Sequence, residues 1–274
     1  MGNETRAVKS ARRASSDAAA GACPAPARLS ALGLAYGIGT WLQFLLLATL
    51  MLPVLLLTPR LSRRRALVRA LARAALRLAG MRLQVHGLDR LPQPCIVVAN
   101  HSSYLDGVVL CATLPAQFSF VIKREMAAVP LAGTLLRRIG AEFVERGNRV
   151  RGARDARRLM RQAGIGQGLV FFPEGTFGPD VGLRHFHIGA FAAAVRANLP
   201  LLPVAIRGTR HCLPPGSPWP RPGVIRIEAL AALPALASGG EQDSRDRALR
   251  LRDAARDALL AALGEPDLEK SARH

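Results

Sequence analysis

The first apolar block carries no charge between Arg28 and Arg60, and its centre, from Trp41 to Leu57, is almost wholly apolar. About 20 such residues suffice to cross a bilayer, and a helix apolar on every side has no water-facing surface, so the pattern predicts a membrane-anchoring helix. The run continues through bulky leucines into Pro53 and a basic segment, unlike the shorter core and small-residue cleavage site of a signal peptide. Gly37, Gly39 and Pro53 leave two geometries open, a single span or a re-entrant hairpin that returns to the same face. Next come Arg60, Arg63, Arg64, Arg65, Arg69, Arg73, Arg77 and Arg82 with no acid among them. By the positive-inside rule this flank is cytoplasmic. Arg65, Arg69, Arg73 and Arg77 recur every four residues and predict the charged face of an amphipathic helix lying on an anionic bilayer surface.

From Met81 onward, short apolar runs alternate with longer helical patterns, the rhythm of an α/β domain. Strands are expected at Arg82–His86, Cys95–Ala99, Phe118–Ile122, Glu142–Glu145, Leu169–Phe172, Leu202–Ile206 and Val224–Glu228. Helices are expected at Leu105–Thr113, Pro130–Ile139, Arg151–Gln162, Gly189–Asn198 and Arg245–Ala262, the last with an apolar stripe through Ala248, Leu251, Ala255 and Leu259. The domain reading is a basic disordered tail at 1–28, a membrane anchor with its basic amphipathic helix at 29–80, and a catalytic domain at 81–274.

Composition sharpens this picture in two respects. The 274 residues carry 38 Lys and Arg against 19 Asp and Glu, a formal charge of +19 that draws the chain to anionic partners of any kind. Cys23, Cys95, Cys111 and Cys212 form no CxxC pair, which excludes a disulfide framework or a zinc-ligand pattern as the organising device. Gly164, Gly166 and Gly168 end a helix and lead into a strand, the reverse of a nucleotide-binding glycine loop.

Two segments carry chemistry. In Asn100-His101-Ser102-Ser103-Tyr104-Leu105-Asp106 a His follows an apolar strand and an Asp lies five residues on, at a helix start. A carboxylate there can fix the imidazole tautomer and leave the other nitrogen as a general base; a helix-capping Asp beside a histidine has the same spacing. In Phe171-Phe172-Pro173-Glu174-Gly175-Thr176 a buried strand stops at a Pro and presents a carboxylate and a hydroxyl at the sheet edge.

The chain resembles the glycerophospholipid acyltransferase family of the lysophosphatidate acyltransferase type in four blocks, NHSSYLD at 100–106, GAEFVER at 140–146, FFPEGT at 171–176 and LPVAI at 202–206. The resemblance implies a mixed central sheet flanked by helices, as in glycerol-phosphate acyltransferases, behind an N-terminal membrane anchor. It implies transfer of a fatty acyl group from an acyl thioester, acyl carrier protein or coenzyme A, to the free hydroxyl of lysophosphatidate, giving phosphatidate. His101 would be the general base and Asp106 its partner. Lys123 and Arg146 would bind the acceptor phosphate, Glu174, Gly175 and Thr176 would shape the acceptor site, and Pro203 would lie near the acyl channel. Ser102 and Ser103 lack the GxSxG elbow and are turn formers rather than nucleophiles.

Two positions depart from the family pattern. Phe177 and Gly178 follow Thr176 where a basic residue and Ser are usual, and His187 stands in a later block at a place usually held by a permanent cation. Another lysolipid, such as lyso-ornithine lipid, is therefore the alternative acceptor. His185 and His187 lack a third ligand, so no metal and no resident cofactor are expected. The competing reading of another class, a basic nucleic-acid-binding membrane protein, rests on Arg149, Arg151, Arg154, Arg157, Arg158 and Arg161; it lacks interleaved aromatics or a recognition motif, and no nucleic-acid partner is expected. The expected location is the cytoplasmic inner membrane with the catalytic domain on its cytosolic face.

Overall fold

The computed structural model describes residues 30–145, 158–159, 161–162, 167–234 and 241–271. The expected tail at 1–28 and most of the Arg151–Gln162 helix lie outside these residues; Arg158, Leu159, Arg161 and Gln162 are helical. Two helices open the described chain, α1 at Ala31–Leu57 and α2 at Leu61–Leu78. The α/β domain follows as β1 (Met81–His86), β2 (Ile96–Ala99), α3 (Leu105–Thr113), β3 (Ser119–Lys123), α4 (Ala132–Arg138), β4 (Glu142–Val144), β5 (Leu169–Phe171), α5 (Gly189–Ala197), β6 (Leu201–Arg207), α6 (Thr209–Cys212), β7 (Gly223–Ala229), α7 (Glu241–Leu263) and α8 (Leu268–Ser271). All seven expected strands are present, with ends shifted by a residue or two.

The strands form one mixed sheet in the order β1-β7-β6-β2-β5-β3-β4. β6, β2, β5, β3 and β4 run parallel; β7 is antiparallel to β6, and β1 is parallel to β7. Alternation along the strands sorts the core into two layers. Val97, Ala99, Leu202, Val204 and Ile206 face a layer closed by Leu76 of α2 and by Val109 and Leu110 of α3. Ile96, Val98, Leu201 and Ala205 face the opposite layer, closed by Phe191 and Ala194 of α5 and by Ala248, Ala255 and Leu259 of α7. Every residue of β2 is buried, as expected of a strand covered on both faces. The parallel strands all deliver their C-terminal ends to one edge of the sheet.

Pro203 sits inside this core rather than at its edge. It is buried in β6 opposite Val98. Between the pairs Val204–Ala229 and Leu201–Leu233 the register slips by one residue, and the Pro203 carbonyl accepts from the Leu230 N–H. Such a bulge lets a residue without an N–H occupy a central strand. Its place in the fold is thus that of a strand irregularity.

At roughly 1.5 Å per residue the 27 residues of α1 span about 40 Å, long and apolar enough to cross a membrane. One side of the helix docks on the domain. The Tyr36 hydroxyl donates to the Ala79 carbonyl, Gln43 Nε2 to the Ala75 carbonyl at 2.9 Å, and Trp41 Nε1 to the Pro218 carbonyl at 2.5 Å. Gly37 admits the Trp219 ring so closely that a Cβ there would lie 2.8 Å from it. The other side exposes Ile38, Leu42, Leu45, Leu46 and Leu50 at helical spacing.

Three arginines of the α2 stripe are engaged by the domain itself. Arg65 is buried: Nε donates to the Ile139 carbonyl at 2.8 Å, Nη1 to the Gln117 carbonyl at 3.3 Å, and Nη2 to Ser119 Oγ at 2.9 Å and the Gly140 carbonyl at 3.3 Å. Arg69 Nη2 and Arg73 Nε donate to the Thr113 and Ala112 carbonyls at 3.1 and 2.6 Å. These two cations compensate the negative C-terminal end of α3. Four-residue spacing placed Arg65, Arg69 and Arg73 on one face, and these three reach backbone carbonyls of the domain.

Arg65→Met should destabilise the protein by at least about 2 kcal/mol, because it leaves buried carbonyls without a charged donor. Exposed Arg77→Met should lie within about 0.5 kcal/mol of wild type. Thermal unfolding in detergent compares the two, and equal shifts would contradict the clamp.

Candidate active site

The turn after β2 is built around one carboxylate. Asp106, in the first turn of α3, has no solvent exposure. Its Oδ2 accepts from the Ser102 N–H at 2.7 Å and the Ser103 N–H at 2.8 Å and lies 2.9 Å from His101 Nδ1. The positive end of the α3 dipole favours the anion at this position. With Asp106 ionised, Nδ1–H is the donor and the lone pair sits on Nε2, the tautomer a general base requires.

The same segment is tied to β6 and to the chain beyond it. Asn100 pairs with the Ile206 backbone as a peptide would, its Nδ2 donating to the carbonyl at 2.9 Å and its Oδ1 accepting from the N–H at 2.7 Å. Ser102 Oγ lies 3.1 Å from Thr209 Oγ1, and Ser103 Oγ donates to the Leu213 carbonyl at 2.8 Å. Both serines are buried and committed to this scaffold, in keeping with their reading as turn formers.

The turn after β5 closes on the first. Glu174, 4% exposed, accepts from the His101 N–H through Oε1 at 2.7 Å and from the Arg184 N–H through Oε2 at 3.0 Å. Burial lifts its carboxyl to about 7, although both backbone donors favour the anion. Gly175 adopts φ 74°, a left-handed conformation that reverses the chain, with its N–H donating to the Phe172 carbonyl at 3.0 Å. Thr176 is exposed on the far side of this turn.

Aromatic rings enclose the imidazole. Phe172 stacks on His101 with centroids 4.3 Å apart, and Phe177 meets it edge-on at 4.6 Å. His101 keeps 19% side-chain exposure, so the ring is sheltered yet reachable. Asn100, Phe172 and Phe177 were not among the expected site residues. The Asn after a buried strand was a visible signal, whereas the packing of Phe177 depends on a tertiary fold of the loop.

Glu174 and Gly175 thus join His101 and Asp106, Glu174 by holding the His101 backbone. Lys123 is the last residue of β3, at the same sheet edge, 3.4 Å from Glu125. Arg146 lies outside the described residues. Among the described residues no cluster of His, Cys, Asp and Glu could hold a metal ion. Of the arginine run at 149–161, Arg158 binds Glu142 at 2.8 Å and the Phe143 carbonyl at 2.7 Å.

A family model described as Acyltransferase matches residues 82–207, the stretch that contains His101, Asp106, Glu174 and Gly175. The putative 1-acyl-sn-glycerol-3-phosphate acyltransferase acl-2 of Caenorhabditis elegans is 30% identical over 201 residues, 71% of this chain and 69% of that protein. The lyso-ornithine lipid O-acyltransferase of Pseudomonas aeruginosa is 39% identical over 126 residues, 44% of this chain and 46% of that protein. The crystal structure of the 1-acyl-sn-glycerophosphate acyltransferase PlsC from Thermotoga maritima shares the fold, with a TM-score of 0.66 at 23% identity over 84% of this chain and 98% of that one. The chain spans 39% to 55% of the length of other curated relatives it matches. A family match that includes all four blocks, and a relative aligned over more than two thirds of both chains, leave one assignment: the chain belongs to the 1-acyl-sn-glycerol-3-phosphate acyltransferase family.

Proposed function

We propose that this chain is a membrane-bound acyltransferase that moves a fatty acyl group from an acyl thioester to the free hydroxyl of a lysolipid. Lysophosphatidate and lyso-ornithine lipid, the acceptors in the names of its relatives, both offer such a hydroxyl. The observation that carries the reading is the His101 imidazole, oriented by buried Asp106 and sheltered by Phe172 and Phe177. His101 Nε2 takes the proton as the acceptor oxygen attacks the thioester carbonyl. The tetrahedral intermediate then expels the thiolate, and the imidazolium returns the proton to sulfur. A C–O bond forms, a C–S bond breaks, and Asp106 stabilises the charge on the ring between the two events.

Residence at a membrane follows from the leucine face of α1, which the domain leaves uncovered. The expected setting is the cytosolic face of the inner membrane, where both acyl carrier protein and coenzyme A thioesters are available as co-substrates.

With labelled acyl donors and lysolipids, His101→Ala should lose roughly 10²–10⁴-fold in turnover at unchanged protein level. Full activity in that variant would overturn the mechanism.

Glu174 ties the same chemistry to pH. Ionised, it accepts from two N–H groups; as pH falls through about 7 it takes a proton, and a neutral carboxyl holds the His101 backbone less firmly. Activity should therefore decline on the acid side as Glu174 takes its proton. Glu174→Gln should lower kcat by about 10–100-fold through misplacement of the base. The acceptor KM should change little, and the decline near pH 7 that belongs to Glu174 should be lost. A selective rise in acceptor KM would instead assign Glu174 to acceptor binding.

A further inference from the structure

Two adjacent residues of α6 hold the two chain segments that meet at His101. Thr209, fully buried, reaches the turn after β2, where its Oγ1 lies 3.1 Å from Ser102 Oγ. Arg210 reaches the loop after Glu174: its Nη1 donates to the Gly178 carbonyl at 2.7 Å and to the Pro179 carbonyl at 3.1 Å. The residue before Gly178 is Phe177, half-buried, whose ring meets the imidazole edge-on at 4.6 Å. The short helix thus keeps the Phe177 ring in register with His101.

The surroundings of Arg210 suit it to this task. Taking a guanidinium out of water costs free energy that an ion pair returns elsewhere on this edge, where Arg184 has Asp180 at 3.4 Å and Arg207 has Glu228 at 3.0 Å. Among the described residues Arg210 pairs with no carboxylate, and its Nε is buried with no hydrogen-bond partner. Its return is two charge-assisted bonds to backbone carbonyls of one loop. The chemistry of the site gives that loop a purpose. A base that activates a lipid hydroxyl beside a thioester also activates water: a C–O bond forms from water, the C–S bond breaks, and the proton passes through the imidazole to sulfur, leaving fatty acid and free thiol. Rings packed around the base keep water from it and suppress that side reaction.

We propose that Arg210 is a positioning residue that seats Phe177 against His101 and so reserves the acyl group for the lysolipid by excluding water as the acceptor. This rests on the acyl-transfer reading and concerns how the same site divides its acyl group between two nucleophiles.

The test uses the full chain in detergent with a labelled acyl thioester and, in turn, lysophosphatidate and lyso-ornithine lipid, and measures the label recovered as lipid ester and as free fatty acid. Wild type should give ester with little fatty acid. Phe177→Ala should raise the ratio of fatty acid to ester by about tenfold or more, and Arg210→Gln should move it in the same direction. The double variant should go no further than Phe177→Ala alone, because both changes act through one ring. Arg210→Lys, which still donates to the loop carbonyls, should recover most of the wild-type ratio. Adding His101→Ala to Phe177→Ala should remove both products. A merely structural defect lowers ester and fatty acid together and leaves their ratio alone, and either single variant supplies the reading if the other does not fold. A wild-type ratio in folded Phe177→Ala or Arg210→Gln would overturn this inference alone. So would an Arg210→Gln variant that raises the acceptor KM and releases no fatty acid, which would make Arg210 a headgroup ligand. A wild type that transfers to neither lysolipid would overturn the acyl-transfer reading beneath it.

Discussion

A single buried carboxylate oxygen organises the active end of this fold. Asp106 Oδ2 gathers two backbone N–H groups and the imidazole of His101 in a place without solvent, so its hydrogen bonds decide the path of the chain between β2 and α3 as well as the tautomer of the base. Burying a carboxylate is costly unless donors and dipoles compensate it. Here the α3 N-terminus supplies the dipole, while Arg69 and Arg73 compensate the other end of the same helix.

The parallel arrangement of five strands explains how residues more than 100 positions apart meet. β2 and β5 are neighbours and end at the same edge, so His101 and Glu174 need only short turns to reach one another, and β6 brings Ile206 and Thr209 beside Asn100 and Ser102. Ligand sites gather at such strand ends because the loops there can vary while the sheet keeps their bases fixed. The docked side of α1, fastened through Tyr36, Gln43 and Trp41, sets that edge in a constant relation to the helix whose other side is apolar.

The pattern of the sequence revealed the seven strands and the His101–Asp106 pair because both follow from local rules: apolar runs bounded by turn residues, and a carboxylate at a helix start. Other features depended on partners that no local pattern contains. The arginines of α2 have one periodicity whether they face lipid phosphate or protein carbonyls, and only the approach of α3 and the Ile139–Gly140 turn decides between them. Pro203 was informative as an oddity in a strand, yet its cause lies in a bulge formed with residues 229–233. Glu174 was correctly placed at the sheet edge. Its actual partners are the N–H groups of His101 and Arg184, which sequence spacing cannot pair.

The central claim is that Asp106 holds His101 with its proton on Nδ1 and its lone pair on Nε2. Nitrogen-15 NMR of imidazole-labelled protein in detergent, with the His101 signals assigned by their loss in a His101→Ala sample, measures this directly. With the imidazole neutral, Nδ1 should give the protonated-type resonance and Nε2 the unprotonated-type one, and Asp106→Asn should erase that distinction or reverse it. An Nε2-protonated imidazole in the wild type, indifferent to Asp106→Asn, would contradict the account.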